Sequence, residues 1–221
     1  MKKTILTGLF AAGILFTASA QTGARVIGRA GVNFTNITGK DFEGDKDNGK
    51  LKTGFHIGAD VEIPLADEFF IQPGVLFSTK GAKSDDSEDA TTINLSYVEI
   101  PVSFMYKPVL GNGRLILGAG PYAGVAVGGK VKFDGDADSD IEFENKVSAE
   151  DYANSDNLIL RRLDFGANIM AGYEMASGLS FQLNSQFGLA NLHPDITGLP
   201  SGFKQPKANN TGFGVSVGYR F

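Results

Sequence analysis

Four aspartates at alternate positions, Asp134, Asp136, Asp138 and Asp140, form a dense run of metal-ligating oxygens. In an EF-hand loop, carboxylates at this spacing wrap a calcium ion, but the loop also needs glycine at position six and glutamate at position twelve. Counted from Asp134, those positions hold Ser139 and Asn145. The run therefore predicts a solvated acidic loop and, at most, a weak calcium site. Acid–base chemistry has little to work with, because the chain has two histidines. His193 with Asp195 is the one close pairing of histidine and carboxylate in sequence, and His56 falls inside a predicted strand. A triad needs nucleophile, base and orienting acid within hydrogen-bond reach. The reading assigns no serine nucleophile, expects no enzyme and expects no cofactor.

A second set of chemically capable residues is spread along the chain: Arg29, Asp60, Glu62, Glu99, Arg114, Arg162, Asp164, Glu174 and Arg220. Each falls on the polar side of a segment in which polar and apolar residues alternate. Residues 53–63 are the clearest case. Phe55, Ile57, Ala59, Val61 and Ile63 alternate with Gly54, His56, Gly58, Asp60 and Glu62, the period of a strand whose two faces meet different surroundings. The same period runs through 25–35, 69–80, 93–107, 114–127, 158–175, 179–189 and 212–221, giving eight predicted strands. In the fourth, the apolar face passes from Ile93, Leu95 and Tyr97 to Val98, Ile100, Val102 and Phe104, which predicts a β-bulge near Tyr97. Pro73, Pro101 and Pro121 fall inside strands, although proline is usually confined to sheet edges or bulges.

The connections alternate in length. Residues 64–68, 108–113 and 176–178 are short; 36–52, 81–92, 128–157 and 191–210 are long and polar. This is the pattern of a transmembrane barrel with short periplasmic turns and long extracellular loops. An even strand number then puts both termini in the periplasm. A soluble eight-stranded barrel would place the apolar face inside, around a ligand. Strictly alternating turn lengths, strands long enough to cross a bilayer and an aromatic final strand ending at Phe221 favour lipid outside. The charges then fill a narrow lumen, paired because an unpaired ion there is expensive. The functional alternative for them is a proton or ion path.

Residues 1–20 carry Lys2 and Lys3, an apolar run and the ending Thr17-Ala18-Ser19-Ala20, the form of a secretory signal peptide. The barrel is then residues 21–221. Without those two lysines, 18 basic residues face 25 acidic ones, an acidic balance that argues against a nucleic-acid partner. The 29 glycines and 17 phenylalanines fit an all-β chain rich in turns, and the lack of cysteine rules out lipidation through that residue.

Tyr97-Val98-Glu99-Ile100-Pro101-Val102 and Gly118-Ala119-Gly120-Pro121-Tyr122, together with residues 28–33 and 70–81, resemble the small outer-membrane β-barrel domain of Bacteroidetes, often labelled porin-family or PorT-like. The resemblance covers essentially the whole chain after residue 20. It implies that proline at 73, 101 and 121 is an accepted feature of such strands. Most members have no assigned activity; some relatives are linked to protein secretion, and no residue here carries that role over. The expectation is a non-enzymatic barrel in outer-membrane lipid whose acidic loops meet a surface or envelope protein. A narrow solute conduit is the runner-up, and a lipid-modifying barrel enzyme comes third.

Overall fold

The structure is a computed structural model that describes residues 23–84, 91–133 and 137–221. The predicted signal peptide lies outside the described residues. Eight strands form the barrel: β1 Arg25–Lys40, β2 Lys50–Ala66, β3 Phe69–Lys83, β4 Thr91–Tyr106, β5 Gly113–Phe133, β6 Leu163–Met175, β7 Leu179–Gly188 and β8 Lys207–Arg220. Each pairs antiparallel with the next, and β8 returns to β1, with Val32 opposite Val215. Closure leaves no strand edge exposed, which is what allows a sheet to stand in hydrocarbon, where every backbone polar group needs an internal partner.

The alternation resolves inside out. In β2, Phe55 and Ile57 are 50% and 56% exposed, while His56 and Asp60 are 5% and 1% exposed. Outward aromatic rings stack in two groups. Phe69 packs against Phe104 and Tyr106 near the short turns, and Phe34–Phe213 and Phe55–Phe77 pair further towards the loops. An apolar band flanked by aromatics is the outer surface of a transmembrane barrel.

Short turns join β2 to β3, β4 to β5 and β6 to β7. Glu68 turns the first with φ 65° and Gly178 the last with φ 87°, backbone values that suit glycine and are unusual for glutamate. The loops at the other end carry structure of their own. Lys146–Ser148 pairs in parallel with Asp195–Thr197, and Glu142–Phe143 with Ile159–Leu160. Between them a short helix, Ala149–Asn154, is capped by the Ser148 hydroxyl, which accepts from the Asp151 N–H at 3.0 Å. In the first loop, the Asp45, Gly44 and Glu43 N–H groups converge on the Asp41 carboxylate and hold its pKa below the ordinary aspartate value.

Several boundaries differ from the sequence reading. The sixth strand begins at Leu163, because Ile159–Leu160 belongs to the loop sheet. The predicted bulge lies on the partner strand: register slips between Ser96/Gly128 and Tyr97/Ala126, so Val127 of β5 is the additional residue. The alternation of β4 itself is unbroken, with Leu95, Tyr97 and Glu99 inward and Val98 and Ile100 outward. What changes near Tyr97 is the interior, which turns from polar to apolar. Pro73, Pro101 and Pro121 occupy three successive staves, β3, β4 and β5, since a closed barrel has no edge to which they could be confined.

Candidate functional site

Inward side chains stack in layers from turns to loops. At the turn end Lys107, just past β4, bends into the lumen and donates to Glu62 and, at 2.9 Å, to Glu174. The Arg220 Nε also donates to Glu174, at 2.7 Å. Lys107 is 1% exposed and both carboxylates 4%, so this is a desolvated cluster in which each charge depends on the others. Phe70, Met105, Ile116 and Met170 close the next layer, and Gly118 leaves room for the two methionines.

At mid-height Arg29 pairs with Asp60 at 3.1 Å. Beside them His56 bridges two strands, with Nδ1 2.6 Å from the Asn33 amide oxygen and Nε2 2.8 Å from the Ser216 hydroxyl. With the amide oxygen on Nδ1, Nε2 accepts from Ser216, the order of nucleophile, base and orienter. Gly214-Val215-Ser216-Val217-Gly218 even has the G-x-S-x-G spacing, a serine motif that corrects the sequence reading, which assigned none. Its context is different from a nucleophile elbow, which is a sharp turn with free backbone N–H donors. Ser216 sits in mid-strand of β8, laddered on both sides to β1 and β7, so those donors are committed. The adjoining cavity is about 50 Å³, room for water but not for an ester. Asn184 also donates to Ser216 and Asn33 to Ser78. The set is a hydrogen-bonded network across the lumen.

Above it Lys80, 1% exposed, lies 2.5 Å from Glu99 and 3.0 Å from Asp164. The Tyr122 hydroxyl and the Asn210 amide donate to Asp164, and the rings of Tyr97 and Tyr122 face the ammonium at 5.2 and 4.6 Å. At the loop end Leu95, Tyr97, Ala126 and Val131 meet Ile141, Leu160 and Leu192 in an apolar cluster that stoppers the barrel. Arg161 ties the two long loops together through Asp195.

Of the charges singled out in the sequence, the structure gathers Arg29 with Asp60, Glu62 with Glu174 and Arg220, and Glu99 with Asp164. Arg114 and Arg162 stay outside these clusters. Arg114 stacks over Phe70; Arg162, beyond the start of β6, stacks over Phe143 and donates to the Ala126 carbonyl. The sequence reading missed both hubs, Lys80 and Lys107, although each has the inward parity of its strand. In the predicted calcium run, Asp134 and Asp136 lie outside the described residues, while Asp138 and Asp140 face Lys132 and Lys130 at 4.0 and 3.9 Å. Among the described residues no three histidine or carboxylate side chains come together as metal ligands.

A family profile described as an outer membrane protein beta-barrel domain matches residues 19–193. No curated protein matches the chain. Several solved structures are similar to it at low identity. Ail, the attachment invasion locus protein of Yersinia pestis, is 10% identical, with 89% of this chain and 99% of that chain covered and a TM-score of 0.41. Neisserial surface protein A is 13% identical, covering 90% and 97%, at 0.44. The N-terminal β-barrel domain of Pseudomonas aeruginosa OprF is 14% identical, covering 88% and 99%, at 0.34.

Proposed function

Because the chain belongs to the outer membrane protein β-barrel domain family, we propose that it is a non-enzymatic, plugged barrel of the outer membrane that holds its acidic loops outward for contact with a surface or envelope partner. The observation that carries this reading is the filled lumen: two lysine-centred clusters, a polar bridge and an apolar stopper succeed one another along the axis. Side chains suffice to fill an eight-stranded barrel, leaving no aqueous channel. Loops are where such a scaffold carries function. The residues at 97–102 and 118–122 support placing the chain among the PorT-like barrels of Bacteroidetes.

Single-channel recording of the refolded barrel in planar bilayers tests the plug, with heat-modifiable gel mobility showing that the barrel has formed. The expected result is a folded protein without conductance steps; reproducible steps would put the narrow conduit in its place. Sidedness is tested by single cysteines, which the native chain lacks. Glu150→Cys, exposed on the loop helix, is expected to react with an impermeant maleimide on intact cells, and Asp67→Cys, exposed in the first short turn, only after the membrane is breached. The reverse pattern would invert the orientation.

A further inference from the structure

At the loop end the stopper does not fill the barrel mouth. Ile37 of β1, Ala82 of β3, Ile93 of β4 and Ala208 of β8, with Leu158 and Leu160 of the long loop, enclose a cleft of about 400 Å³. That volume lies in the range of small-molecule sites, ~300–1,000 Å³. Its floor is closed, since Leu95 and Tyr97 beneath it are 1% and 0% exposed. A molecule entering here is held at the mouth and does not continue down the lumen.

Two cations stand among the described residues of this apolar cleft. Lys83 and Lys207 line it. Beside it Lys52 points inward and is 6% exposed, with its Cδ 3.2 Å from the position a Gly81 Cβ would take, next to Ala82 and Lys83 of the cleft wall. The comparison with the other buried lysines is informative: Lys80 and Lys107 each hold two carboxylates, whereas Lys52 forms no ion pair among the described residues. With no carboxylate partner among the described residues, the Lys52 ammonium is open to donate a charged hydrogen bond to an anion that a ligand brings.

We propose that the mouth cleft binds an acyl chain bearing an anionic head group, with the chain against Ile37, Ile93, Leu158 and Leu160 and the head drawn to Lys52, Lys83 and Lys207. The proposal is independent of which macromolecule meets the outer loop surface. Carboxylate and phosphate head groups share the chemistry, and the test separates them.

The full barrel in phospholipid nanodiscs is irradiated with dodecanoic acid carrying a terminal diazirine, and the adducts are mapped by mass spectrometry. Adducts are expected on the cleft residues. Excess dodecanoate or dodecyl phosphate, but not dodecanol, is expected to suppress them, and the stronger of the two anions identifies the head group. Lys52→Met should weaken that competition by about tenfold, the worth of one charged hydrogen bond. Leu158→Trp, in a loop outside the staves, should abolish cleft labelling while heat-modifiable mobility is retained. Adducts confined to lipid-facing residues such as Ile57 and Val215, equal protection by dodecanol, or unchanged labelling in Leu158→Trp would each overturn the proposal.

Discussion

Lys107→Ala is expected to destabilise the folded barrel by about 3–5 kcal/mol, the range found when one partner of a buried ion pair is removed. Lys107 holds Glu62 and Glu174 together at the turn end, where all three side chains are almost fully desolvated. Without it Glu174 keeps Arg220, but Glu62 loses the cation it pairs with among the described residues. Two further variants separate charge from volume. Lys107→Met keeps most of the volume and removes the charge, so the difference between methionine and alanine reads the cavity. Lys107→Met combined with Glu62→Gln removes both partners and should recover much of the loss, because neutralising a pair is far cheaper than orphaning one member. Urea titration of folding into vesicles, read by gel mobility, supplies the free energies. Lys107→Met within about 0.5 kcal/mol of the native chain, the range of an uninvolved surface position, would show that the cluster contributes little to stability.

What the sequence revealed and concealed follows from the range of each interaction. Period two is local, so residues such as Ile57 and Asp60 could be assigned to opposite faces from their neighbours alone, and the alternation of turn lengths then supplied the architecture. Lys80 and Lys107 were within reach of the same rule but stand at the ends of predicted strands, where a lysine ordinarily reaches for solvent. Leu95 and Tyr97 read as a slipped apolar face because what covers them, Ile141, Leu160 and Leu192, arrives from distant loops that leave no periodic trace. Arg162 had the polar parity of its segment, yet the loop pairing of Ile159–Leu160 took it out of the barrel strand. The His56 bridge is the extreme case. Its partners lie 23 and 160 residues away, and the one local clue, the glycine spacing around Ser216, reads the same in a lumen-facing strand as in a nucleophile elbow.

The inside-out assignment makes the second large prediction. Ile57→Arg and Val215→Arg are each expected to destabilise the barrel in a bilayer by about 2–4 kcal/mol, the cost of a charged side chain facing mid-membrane lipid. Both residues stand on the outer face, 56% and 46% exposed, so in a water-soluble barrel an arginine there would keep its hydration and change little. Gln182→Ala supplies the control on the other face. Gln182 is 3% exposed, and its amide oxygen has no hydrogen-bond partner among the described residues, so truncation gives up contacts but breaks no bond of that oxygen. Its expected cost is about 1 kcal/mol. The order of the two effects is the informative quantity. In a protein with a buried apolar core the inward position is the sensitive one; here the surface position must be, because hydrocarbon, and not the interior, is the medium that excludes charge. Equal tolerance of arginine at 57 and alanine at 182 in a bilayer refolding titration would contradict the orientation of every strand, since one register and one alternation fix them all.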